Sequence, residues 1–154
     1  MINSGRFYAQ IEGDFVIFLI GMRINAPLKI HKWWPVAKAM GKMLKELYAK
    51  PELGLIHHEV GLGRTIIMVQ YWRSLDQLMD YATNKNQEHL PAWRAFNTAA
   101  KGNQDVGIWH ETYAISKGHY ENIYANMPAF GLGKAGILAP VSSKGQSARE
   151  RLQT

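Results

Sequence analysis

Phe15-Val-Ile-Phe-Leu-Ile-Gly-Met22 is apolar at every position apart from one glycine. A strand with one wet face alternates apolar and polar side chains, whereas a run that is apolar at both parities must be covered on both faces. The run is far too short for a membrane helix, which needs ~20 apolar residues. Glu12 and Asp14 precede it, and no basic segment leads into it, which argues against a secretory leader. It reads as a strand over Asp14–Asn25, ended by Asn25-Ala-Pro27.

The rest of the chain follows in short elements. A helix is predicted from Trp34-Pro35, because proline suits a first turn and Val36, Met40, Met43, Leu44 and Leu47 fall on one helical stripe. Pro51 stops it. Leu53 to Gly61 and Arg64 to Trp72 read as two strands joined by the tight link Gly61-Leu-Gly63, a hairpin. Ser74-Leu-Asp-Gln77 is a capping box that opens a helix with Leu75, Leu78, Met79 and Ala82 as its stripe. Asn84 to Asn86 breaks that helix. Pro91 permits another, to about Lys101, and Val106 to Ile115 is a last strand.

The order is βαββαβ, a ferredoxin-like α+β arrangement with helices on one face of an antiparallel sheet. All strands are apolar on both sides, so the second face also needs a cover. Two units packed sheet to sheet would supply it, which predicts a homodimer, a dimeric α+β barrel. Residues 1–141 are expected to form one domain. The aromatic stretch His119 to Pro128 should pack on the barrel, and residues 142–154 are expected to be a polar, flexible tail.

The chain has 154 residues, no cysteine, and 18 Lys and Arg against 12 Asp and Glu. Without cysteine there are no disulfides, thiolate metal sites, iron–sulfur clusters or cysteine nucleophiles, which fits a reducing, cytoplasmic setting. The basic residues are scattered, and no basic run is interleaved with exposed aromatics, so no nucleic-acid partner is expected, and no membrane.

Two histidines carry the chemical signal. His89 opens the helix His89-Leu-Pro-Ala-Trp93, and His110 lies in the strand segment Ile108-Trp-His-Glu-Thr-Tyr113. Imidazole ligates metals and moves protons near neutral pH. His89 reads either as a capping or surface residue or as an axial haem ligand. His110, on the strand face of Ile108 and Thr112, reads either as a core or interface histidine or as a proton shuttle. Trp93 and Phe96 lie near the face of His89 and would line the same pocket.

Other candidates read as structural. His57 and His58 are adjacent on a strand and point to opposite faces, so they cannot share a metal. Trp33-Trp34 reads as a hydrophobic lid on the core or as pocket lining. Gly131-Leu-Gly-Lys-Ala-Gly136 has the spacing of a dinucleotide fingerprint, but it follows Met127-Pro-Ala-Phe130 and not a strand, so it reads as a glycine-rich turn.

Several segments together resemble an uncharacterised monooxygenase-like family of dimeric α+β-barrel proteins. They include Val16 to Asn25, Tyr71-Trp-Arg-Ser-Leu75, His89 to Asn97, Gly107 to Tyr113 and Tyr120 to Pro128. A more distant resemblance is to the C-terminal half of haem-dependent aldoxime dehydratases. It implies His89 as proximal haem ligand and His110 as distal acid/base. Those enzymes are about twice as long, and their distal serine and arginine have no counterpart that can be aligned here.

The expected function is therefore a homodimeric enzyme that binds haem b through His89, with His110 catalytic. It would act on a small nitrogen- or oxygen-containing substrate by aldoxime-dehydratase-like or monooxygenase-like chemistry. A cofactor-free monooxygenase and a non-catalytic small-ligand-binding protein are the alternatives.

Overall fold

The structure is a computed structural model that describes residues 1–101, 103–141 and 145–152. Its main sheet has four antiparallel strands: β2 (Phe15–Ile24), β3 (Leu55–Gly61), β4 (Thr65–Trp72) and β5 (Val106–Ile115), in the order β3-β4-β2-β5. With α1 (Ile30–Ala49) between β2 and β3, and α2 (Leu75–Thr83) and α3 (His89–Ala100) between β4 and β5, this is the ferredoxin-like βαββαβ topology. The central strand β2 pairs along its length with β4 and β5, so Val16, Phe18 and Ile20 face one side and Phe15, Ile17 and Leu19 the other.

The helices cover the Val16 side. Val16, Leu55 and Trp72 of the sheet pack there against Leu47 of α1 and Leu78 and Tyr81 of α2. Burying a side chain such as Leu47 or Leu78 stabilises the fold by about 1.5–3 kcal/mol. Ser74 caps α2 as its sequence predicts, its hydroxyl accepting from the Gln77 N–H at 3.1 Å.

Some boundaries differ from the sequence reading. Helix α1 begins at Ile30, so Pro35 lies inside it and not at its first turn. A 3-10 turn at Pro51–Leu53 delays β3 to Leu55. Trp34 is 57 % exposed, so it is no lid on the core of this chain; Trp33 is tied down by its indole N–H donating to the Pro27 carbonyl at 3.0 Å.

The opposite face of the sheet brings the larger correction. A second sheet, unforeseen in the sequence, combines β1 (Asn3–Gln10), β6 (Tyr124–Met127) and β7 (Ile137–Pro140) in the order β6-β1-β7. With the short helix α4 (Leu132–Ala135), it packs over Phe15, Ile17, Val69 and Tyr71. This chain thus covers part of that face itself, and the aromatic stretch does pack on the barrel, through Tyr120 and Tyr124. The rest of the face stays open, with Ile67 and Tyr113 among its exposed residues. Of the residues from 142 onward, 142–144 and 153–154 lie outside the described ones. Ala148–Arg151 forms a single helical turn, α5, whose Arg151 pairs with Glu121.

Candidate functional site

Helix α3 and the first half of α1 do not close onto the sheet. They leave a cavity of about 420 Å³, within the roughly 300–1,000 Å³ of small-molecule sites. Ile20 and Ile108 of the sheet form its floor, Val36, Met40 and Met43 of α1 one wall, and His89, Trp93 and Phe96 of α3 another. Half of the α1 stripe therefore lines a void, while Leu47 at the other end fills the core. His89, Trp93 and Phe96 come together because positions i, i+4 and i+7 share one helix face. The Trp93 and Phe96 rings stack at 6.1 Å.

His89 is held in one orientation. Its Nδ1 lies 2.9 Å from the carbonyl oxygen of Ala82, near the end of α2. A carbonyl only accepts, so Nδ1 carries the proton and Nε2 keeps its lone pair. Among the described residues nothing hydrogen-bonds that Nε2. Burial lowers the His89 pKa. The bond to Ala82 works the other way, and the nearby charge of His110 adds to the lowering. The ring is therefore neutral, with its second nitrogen available.

The support beneath His89 was not visible in the sequence. Glu46 of α1 accepts from the Glu88 backbone N–H at 2.9 Å, the Tyr81 hydroxyl at 3.2 Å and Lys50 at 3.0 Å. One carboxylate thus ties α1 and α2 to the residue just before His89. Burial favours the protonated form of Glu46, but the three donors outweigh it and hold the pKa below the usual range. The Tyr81 ring in turn sits 6.1 Å from that of His89. Only the Glu46–Lys50 helical spacing hinted at any of this.

His110 is placed differently. It lies on the helix-facing side of β5, opposite Ile20 and two residues from Ile108, both of which floor the cavity. Its ring is 5.6 Å from Phe18. Yet it is exposed and is not among the residues that line the cavity, because β5 is an edge strand. It is not a core histidine.

His57 and His58 do face opposite ways. His58 Nδ1 meets the Tyr48 hydroxyl of α1 at 2.7 Å, whereas His57 Nε2 lies 3.0 Å from Glu59 on the other face. Glu59 also accepts from the Gly131 N–H and from Lys134, both at 3.0 Å. Burial pushes its pKa up, but these donors prevail and hold it at about 2. The Tyr124 hydroxyl accepts from the Gly133 N–H at 3.0 Å. The glycine-rich segment is thus a structural dock for α4. A Cβ on Gly131 would meet the Tyr71 hydroxyl at 2.9 Å, and one on Gly136 would meet the Gln10 carbonyl oxygen at 2.2 Å. Among the described residues, no three His, Asp or Glu side chains converge as metal ligands, and no helix is long and apolar enough to cross a membrane.

The sequence profile of the family described as "Monooxygenase af470-like" matches residues 15–132, from the first residue of β2 to the first of α4. The chain belongs to the Monooxygenase af470-like family. The matched span holds the whole βαββαβ unit and both histidines, and leaves out β1, β7 and α5. Monooxygenase af470 of Aspergillus fumigatus is 26 % identical over 135 residues, covering 82 % of this chain and 48 % of its own length. This member of the Monooxygenase af470-like family therefore spans about half the length of that relative.

Among solved structures, aldoxime dehydratase OxdRE in complex with butyraldoxime is similar, with a TM-score of 0.60 at 16 % identity over 73 % of this chain and 34 % of that one. SnoaB of Streptomyces nogalater, a cofactor-independent oxygenase, gives 0.46 at 14 % identity over 65 % of this chain and 91 % of its own. At such identities the aldoxime dehydratase likeness is one of fold.

Proposed function

We propose that this chain is a haem-binding enzyme in which His89 would hold the iron and His110 is the acid that serves a small nitrogen- or oxygen-containing substrate. The observation that carries the reading is the fixed tautomer of His89: a neutral imidazole, its Nδ1–H held by a backbone carbonyl, its Nε2 free at the wall of an apolar cavity. Such backbone-bonded imidazoles are what metal-ligating histidines need, because the bond sets ring orientation and raises basicity. A porphyrin supplies four nitrogens of its own, so one protein ligand suffices. The apolar slot between α1, α3 and the sheet suits its ring.

Bound there, haem supplies an iron centre that polarises a coordinated nitrogen or oxygen. The chain's own residues do the rest. Glu46 and Tyr81 position His89 through the start of α3. Met40, Trp93 and Phe96 exclude water from the cavity. His110 donates a proton to a departing hydroxyl and recovers it from solvent, to which its edge-strand position exposes it. For an aldoxime the change balances without an oxidant: the N–O bond breaks, the C–H proton is lost, a carbon–nitrogen triple bond forms and water leaves. A second copy of the chain, seated on the open part of the outer sheet face, completes the homodimer in this reading.

The family's monooxygenase name favours one other reading, in which the same cavity holds a substrate that activates oxygen itself. Titration of the purified protein with hemin decides. A saturable Soret band at one haem per chain, lost in His89→Ala, is the expected result. Oxygen consumption by cofactor-free protein, with no stoichiometric Soret band, would replace the haem reading with the second.

A further inference from the structure

The cavity is chemically lopsided. His89 and Met43 mark one end. At the other, α1 contributes His31 and Lys32, and the segment before β5 contributes Asn103. Lys32 and Met43 are 11 residues apart on one helix, a separation of about 16 Å along its axis at 1.5 Å per residue. No carboxylate lines the cavity, and its remaining walls are almost wholly apolar. The Lys32 ammonium has no hydrogen-bond or ion-pair partner among the described residues, in contrast to that of nearby Lys29, which is paired with Asp105 at 2.8 Å.

We propose that Lys32, with the His31 ring beside it, is the subsite for the ionised carboxylates of the ligand whose flat apolar body fills the cavity. For haem these are its two propionates. This inference rests on the haem reading above and adds an orientation to it: the carboxylate edge points toward the start of α1 and away from the core of Leu47, Leu78 and Tyr81. An unpaired ammonium at the rim of an otherwise acid-free apolar slot is complementary to a ligand that is apolar in body and anionic at one edge. The opposite orientation would bury two carboxylates beside buried apolar side chains, without partners, at high cost.

The test separates this subsite from iron ligation by using a porphyrin without iron. Binding of protoporphyrin IX and of its dimethyl ester is followed by fluorescence on wild type, Lys32→Ala and Lys32→Arg, with hemin titrated in parallel on wild type and His89→Ala. Wild type is expected to prefer the free acid by about fivefold, the scale of a partly exposed charge pair. Lys32→Ala should lose most of that preference, Lys32→Arg should keep it, and all should melt alike, since the position is exposed. Equal binding of acid and ester by wild type, or an unchanged preference in Lys32→Ala, overturns the subsite. A His89-dependent Soret band would still uphold the haem reading in that case. A Lys32-dependent preference without any such band upholds the subsite and removes the ligand role of His89. If neither porphyrin binds, both fall.

Discussion

His89 and Ala82 are joined side chain to backbone at 2.9 Å, across the break between α2 and α3. The contact fixes which imidazole nitrogen is free. It also couples the proposed ligand position to the end of α2, whose start is capped by Ser74. The His89 ring therefore takes its orientation from two helices and not from a loop, which is the preorganisation that the proposed ligand role requires.

Replacing His89 by Ala should abolish the Soret band of bound haem and leave the far-UV circular dichroism near wild type. The structural loss is one hydrogen bond to a carbonyl, about 1 kcal/mol. Haem affinity of the wild type should also fall as the pH drops through the folded pKa of His89, which burial holds below the ordinary imidazole value, because the ring must be neutral to ligate. A spectrum retained in His89→Ala would move attention to His31, His58 or His119.

His110→Gln tests the proton role. The residue is exposed on an edge strand, so the substitution should change the melting temperature by no more than a few degrees and leave haem binding intact. Turnover should fall by about 10²- to 10⁴-fold, the usual contribution of a positioned acid. Normal turnover per folded molecule would leave His110 without a catalytic part.

Glu59 makes an acid-side prediction. Its folded pKa of about 2 is depressed from 4.5. Its contribution to stability is thus complete above pH 4.5 and is lost as the pH falls toward 2. Glu59→Gln should flatten the acid limb of stability measured by urea denaturation between those values. An unchanged slope would mean that the carboxylate does not hold α4 on β3.

Two glycines should respond in opposite directions to alanine. A Cβ at Gly136 would stand 2.2 Å from the Gln10 carbonyl oxygen, so Gly136→Ala must push the terminal sheet off register, at about 1–3 kcal/mol. Gly41 is helical in α1, and a Cβ there meets nothing within 4 Å. Gly41→Ala should therefore stabilise by about 0.5–1 kcal/mol. Thermal melts of the pair check both signs.

Light scattering at micromolar concentration should report a dimer. Ile67, 39 % exposed on the uncovered part of the outer sheet face, is the position where Ile67→Lys should shift the protein toward monomer. A wild-type monomer would show that the terminal sheet is cover enough.

The apolar run Phe15–Met22, the helical stripe of α1 and the capping box at Ser74 determined the βαββαβ unit, because local periodicity dictates which face each element must bury. The i, i+4, i+7 spacing likewise put His89, Trp93 and Phe96 on one wall. Tertiary structure decided what periodicity cannot express. Strand β1 is unreadable alone, since Asn3 to Arg6 are small or polar and Gly5 has a positive φ; it forms because β6 and β7, more than a hundred residues away, pair with it. Glu46 meets the backbone before His89 across 42 residues, a contact made only once the helices pack. His110 lies at the rim because β5 ends up on the sheet edge, and strand order is a property of the assembled sheet, not of any strand's own sequence.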